Sequence, residues 1–212
     1  MMHKIITFVL PIALVACASG PQESTPAATS AASTAKAERP EVKVGDRWVF
    51  EGRAAWGLKT KWEQVWVVTS VDQVGIKGTE NGQPLALTLD MNEIESPRRK
   101  DSDLRRLSFP LEVGKQWSYK TDFIINDPNF GAQGQSKASV TVVGYEKPRV
   151  PAGEFDVFKL QAKWTWVSPP YTGDGHATYW YAPAARAIVK FEYHSQGTPD
   201  TTTELAEFQL QP

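Results

Sequence analysis

The chain has 212 residues, with 23 Lys and Arg against 24 Asp and Glu for a formal net charge of −1, eight tryptophans and one cysteine. So balanced a charge gives no general attraction to nucleic acid or to acidic substrates. One cysteine rules out an internal disulfide framework, so any fold must rest on packing.

In chain order, Lys4 supplies a small basic region, an apolar run follows from Ile5 to Leu14, and small residues precede Cys17. This is the pattern of an export signal, and the run is too short to cross a bilayer as a helix. The four residues Leu14-Val15-Ala16-Cys17 resemble the lipobox of bacterial lipoproteins. The resemblance implies that residues 1–16 are a signal peptide and that Cys17 becomes the lipidated first residue, carrying acyl chains such as palmitate. The membrane is then a partner through that lipid. Ala18 stands where inner-membrane retention usually places aspartate, which implies the outer membrane, facing the periplasm, in a Gram-negative cell. Acyl chains bury about 0.8 kcal/mol per methylene, so such an anchor would release very slowly.

Residues 17–39 read as the lipidated cysteine and a flexible linker, being rich in Ala, Ser, Thr and Pro with no aromatic residue. Such a composition cannot offset the entropy of ordering, and it spans roughly 25 Å root-mean-square.

Residues 40–212 read as one β domain. Short runs of β-branched and aromatic residues are separated by Gly, Pro, Asn and Asp. Expected strands are Arg47 to Glu51, Trp62 to Val71, Gly75 to Thr79, Leu85 to Leu89 and Trp117 to Ile125. Five more lie at Lys137 to Tyr145, Val157 to Trp166, Ala177 to Tyr181, Ala187 to His194 and Thr202 to Leu210. Their close spacing favours hairpins, because parallel pairing needs crossovers that the chain lacks. The expected fold is all-β: a single strongly curved antiparallel sheet, either barrel-like or a half-barrel or sandwich. An internal echo, Val44-Gly45-Asp46-Arg47-Trp48-Val49-Phe50 against Val113-Gly114-Lys115-Gln116-Trp117-Ser118-Tyr119, points to two related halves.

Two further stretches, Val150-Pro151-Ala152-Gly153-Glu154-Phe155-Asp156-Val157-Phe158-Lys159-Leu160 and Tyr179-Trp180-Tyr181-Ala182-Pro183, resemble motifs of β-rich exported bacterial proteins of unknown function. The second departs from that pattern in running on as Ala184-Ala185-Arg186 rather than into glycines. The motifs are structural and supply no catalytic residue.

Chemistry-bearing residues are few. His176 and His194 are the histidines left after signal removal, and Asp174 with His176 lies in a turn-like glycine-containing segment that lacks metal-ligand spacing. There is no nucleophile elbow, zinc-protease motif or phosphate-binding loop, and no cofactor is implied. Asp90, Glu93 and Glu95 could in principle supply a glycosidase-like carboxylate pair, although scattered solvent-facing acids explain them as simply.

The tryptophans carry more. Trp62 and Trp66 share a strand face, as do Trp164 and Trp166, and their flat rings suit stacking on sugars, lining an acyl-chain cavity or packing the core. Trp56, between Ala55 and Gly57, reads as exposed. Arg98, Arg99, Arg105 and Arg106 concentrate positive charge around Asp101 and Asp103, a stretch able to meet anionic headgroups.

These features favour a non-enzymatic envelope lipoprotein that binds a protein, glycan or lipid and no nucleic acid. The alternatives are a lipid or lipoprotein carrier resembling the localisation-factor superfamily, with an apolar cavity, and an envelope hydrolase.

Overall fold

Alternating apolar and polar residues set the architecture, because each expected strand can bury only one of its faces. A computed structural model describes residues 35–55, 61–127 and 130–212. In chain order the strands are β1 (Lys36–Ala37), β2 (Arg47–Ala54), β3 (Lys61–Val71), β4 (Ile76–Glu80), β5 (Gln83–Leu87), β6 (Glu93–Ser96), β7 (Arg99–Asp101) and β8 (Leu111–Glu112). They continue as β9 (Gln116–Asp127), β10 (Phe130–Glu146), β11 (Arg149–Val150), β12 (Gly153–Glu154), β13 (Val157–Ser168), β14 (Tyr171–Ala182), β15 (Ala187–Ser195) and β16 (Thr201–Gln209). Among the described residues the one helical element is a single 3₁₀ turn at Pro183–Ala185.

Twelve strands close into an antiparallel barrel in the order β2-β3-β4-β5-β6-β7-β9-β10-β13-β14-β15-β16, with β16 returning to β2. Closure leaves no edge strand in the barrel to pair with another chain. The half-barrel and sandwich alternatives are thereby replaced by a full barrel. The folded region begins before Pro40, since Lys36–Ala37 pairs with Leu111–Glu112 and Ala37 is buried.

The sequence echo has a structural counterpart. Gly45 and Gly114 both take positive φ, at 91° and 93°, in the left-handed region that glycine tolerates. In the first turn Gly45 N–H donates to Val68 O, and Val68 N–H donates to Asp46 O. In the second, Gly114 N–H donates to Val142 O, and Val142 N–H donates to Lys115 O. Each partner strand bulges one residue later, between Val68 and Ser70 on β3 and between Val142 and Gly144 on β10. Each turn thus opens a run of six barrel strands, β2 to β7 and then β9, β10 and β13 to β16.

The two turns are held differently. The buried Asp46 carboxylate accepts from the backbone N–H groups of Lys43 (2.9 Å) and Gln211 (2.7 Å) and pairs with Arg186 at 3.0 Å. Lys115 instead donates to the carbonyls of Ser108 and Pro110.

At this end the lumen is packed solid. Trp48, Tyr181, Phe158, Leu107, Leu111 and Leu160 are almost wholly buried, and the Trp48 indole donates to Ala185 O at 2.8 Å.

Candidate functional site: an aromatic cavity at the barrel mouth

The opposite end of the lumen is built by the long strands of the second half. Register assigns the inward positions. Ala138, Ala162 and Ala177 are buried, and stepping by two from them brings Ser136, Trp164, Trp166, Gly175 and Gly173 inward as well. Phe123 and Tyr193 complete the ring from β9 and β15.

Trp164 pairs across the strands with Gly175, and Trp166 with Gly173. A Cβ placed on either glycine would fall 2.5 Å from the facing indole. Each indole therefore occupies the space that a side chain on the facing glycine would need. These glycines are seats for tryptophan. The segment from Tyr171 to His176, expected as a turn, is instead the start of β14, and its Asp174 and His176 lie on the outer face. Among the described residues no cluster of three or more metal-ligating side chains forms.

The cavity enclosed at the mouth is about 850 Å³ and is lined by Phe123, Trp164, Trp166 and Tyr193 together with Ser136, Ser195, Thr198 and Arg99. Trp164 stacks on Tyr193 with ring centroids 5.2 Å apart and planes at 24°. The aromatic wall continues downward from Tyr193 to Phe191 (5.8 Å) and from Phe191 to Tyr179 (5.1 Å).

A charged layer lies among these inward side chains. Arg99 makes a two-point pair with Asp101, at 2.6 and 2.8 Å, and sits 5.0 Å from the Phe123 ring centre. Burial acts to lower the Arg99 pKa, but the hydrogen bond and charge of Asp101 outweigh it and the net shift is upward. Arg106 is held 3.8 Å from Glu93 and 5.6 Å from the Phe191 ring, its own upward shift coming from Glu93 against the opposing effect of burial. Burial also raises the pKa of Tyr119 and Tyr179, so both phenols stay protonated and can donate. On the first-half side, burial and then the charge of Glu93 raise the pKa of Glu80, while a hydrogen bond from Gln64 (3.2 Å) opposes the rise. The indole N–H of Trp66 is close to that carboxylate, yet it is buried with no partner in hydrogen-bond geometry among the described residues.

The expected site residues divide accordingly. Trp164 and Trp166 line the cavity. Trp62 and Trp66 are also on the lumen face but belong to the first half, where Trp62 covers Gly52 and Trp66 meets Phe50 edge-on at 5.3 Å. Trp56 and Cys17 lie outside the described residues. The arginine stretch does not form a continuous basic surface: Arg99 and Arg106 turn into the barrel, and Arg105 pairs with Asp103 at 2.7 Å. Arg98 lies at the exposed β6–β7 turn, outside the cavity lining. The three carboxylates do not converge. Asp90 pairs with Arg39, Glu93 with Arg106 and Glu95 with Lys100. Phe123, Tyr193, Ser136 and Ser195 do not stand out in the sequence; the one signal for them is period-two alternation on their strands.

The barrel is a fold already seen among exported bacterial proteins, the YmcC-like fold. Three solved structures share it. A protein of Parabacteroides distasonis described as a lipoprotein has 15% identity and a TM-score of 0.52, covering 82% of this chain and 99% of its own. An exported protein of Bacteroides fragilis with a YmcC-like fold has 17% identity and a TM-score of 0.54, with the same coverage. The hypothetical lipoprotein YmcC of Escherichia coli K12 has 12% identity and a TM-score of 0.51, covering 80% of this chain and 85% of its own. At these identities the likeness is one of fold. No family model matches the chain, and no curated protein matches it in sequence.

Proposed function

We propose that this chain is a lipid-anchored envelope protein whose barrel mouth binds a small ligand with both apolar faces and hydroxyl groups, of which a sugar ring is the simplest example, without transforming it. The observation that carries the reading is the lining of the mouth cavity. Flat indoles on glycine seats offer stacking faces, and serine, threonine and arginine groups alternate with them as hydrogen-bond partners. An acyl-chain carrier would favour an apolar lumen, whereas here a layer of ion pairs and tyrosines accompanies the aromatics. Hydrolysis is disfavoured by the separate pairing of Asp90, Glu93 and Glu95.

The anchor reading is supported by the lipobox at Cys17 and by structural neighbours described as lipoproteins or as exported. Ala18 after the cysteine favours the outer membrane, with the barrel in the periplasm. Envelope fractionation of the full chain tests this part: the wild type should sediment with membranes, and Cys17→Ser should not.

Binding is tested by titrating the tryptophan fluorescence of the full chain with neutral oligosaccharides and, separately, with fatty acids. The reading expects a saturable change with a saccharide that is lost in Trp166→Ala. A response to fatty acids alone would replace it with the carrier reading.

A further inference from the structure

The outer wall of the barrel carries its charges in cross-strand rows. On β9, β10 and β13 it carries Lys120, Lys137 and Lys163, all exposed, with Lys120 directly opposite Lys137. Like charges facing each other across an antiparallel pair repel. None of the three lysines has an ion-pair partner among the described residues. Lys163 faces His176, which stacks on His194 at 4.8 Å, and His194 in turn is hydrogen-bonded to Asp200. Asp122 and Asp174 share this wall one row nearer the mouth, Asp103, paired with Arg105, borders the same wall, and Glu192 lies one row the other way. About half the circumference away Glu63 faces Glu51 and Glu51 faces Glu204, but Glu204 pairs with Arg53 at 3.0 Å and Lys190 at 3.9 Å, and Arg53 faces Lys61 one row along.

The lysine wall also exposes apolar side chains near the mouth. Ile124 is 47% exposed and Val167 48%. Ile124 is on the outer face of β9 four residues beyond Lys120, and Val167 is on β13 four residues beyond Lys163. Lysines beside exposed aliphatic side chains are the combination that adsorbs to an anionic bilayer, where ammonium groups meet phosphates and apolar groups enter the interface. A soluble anion would have no use for the apolar part.

We infer that this wall of β9, β10 and β13 lies against an anionic lipid surface, so that the barrel rests on its side with the wall of β16, β2 and β3 turned away. The inference rests on the lipid-anchor reading, since the described chain begins at Ala35, 18 residues after Cys17, within tether reach of the bilayer. An anchor combined with a basic patch binds more firmly than either does alone.

The test places a fluorophore on a single introduced cysteine of the full, anchored chain, either Thr165→Cys on the lysine wall or Glu51→Cys on the far wall, in vesicles carrying headgroup-attached quencher. With phosphatidylglycerol present, the Thr165 label should be quenched several-fold more than the Glu51 label. The difference should vanish in pure phosphatidylcholine, at high salt, and in the variant K120E/K137E/K163E, whose unchanged circular dichroism would show that it folds. Equal quenching of the two labels in vesicle-bound protein would overturn the inference while leaving the anchor intact. So would a difference that survives the triple substitution, or protection of Thr165 by a second copy in vesicles without anionic lipid. Failure of the chain to float with vesicles at all would remove the anchor reading and this inference with it.

Discussion

The two halves of the barrel open with the same turn and diverge in the strands beyond it. The first half has strands as short as three and four residues, and its aromatic side chains Trp48, Phe50 and Trp66 pack against one another and the floor. The second has strands of nine to 17 residues, and their excess length encloses the cavity. Six strands and a glycine turn are enough to specify half a barrel. Strand length and the placement of glycine opposite tryptophan decide whether that half becomes core or site.

Removing equivalent groups from the two halves should break the symmetry, most strongly at the tryptophans. Trp48→Ala should cost about 4 kcal/mol in denaturant unfolding, since the ring is fully buried and its N–H is bonded. Trp117→Ala, half-buried at the matching position, should cost about half as much; equal losses would deny the two halves different roles. Next come the turns. Asp46→Ala removes a buried acceptor from two backbone N–H groups and Arg186, an expected loss of about 3 kcal/mol. Lys115→Ala should cost about 1 kcal/mol, because its carbonyl partners can turn to water. Gly173→Ala should then cost about 1 to 2 kcal/mol by forcing the Trp166 indole off its seat, and it should change the fluorescence of the cavity more than the stability of the fold.

The smallest effect concerns Glu80. Its folded-state pKa lies above the unfolded value because burial disfavours the charge. Stability from this group is therefore present below the unfolded pKa and is lost as pH rises through the folded pKa. Glu80→Gln should be more stable than wild type at neutral pH and should show a flatter pH profile in urea unfolding. A profile identical to wild type would place the carboxylate in water.

Much of the barrel is legible from alternation alone, because all ten expected strands carry enough apolar residues to declare a buried face. β6 and β7 escape that reading for a physical reason. Their inward side chains include Glu93, Arg99 and Asp101, which satisfy one another or Arg106 instead of packing, so a pattern sought in apolar residues misses them. The same ion pairs make the arginine stretch look like a free basic surface. At the site, Trp164 and Trp166 stand out by type and spacing. Gly173 and Gly175 read as turn residues, because the indoles that require them are several positions away in sequence and adjacent only once β13 and β14 pair. The Ser136, Ser195 and Tyr193 contributions depend on barrel register, which no single strand encodes.

Sugar binding at the barrel mouth is tested most directly by native mass spectrometry of the full chain purified in mild detergent from the cells that make it, wild type beside Trp166→Ala. The expected result is a discrete, saccharide-containing adduct on the wild-type protein that is absent or much reduced in the variant, with both proteins folded. An adduct of equal abundance on both, or one consisting of fatty acid alone, would contradict the assignment of the barrel mouth as a sugar-binding cavity.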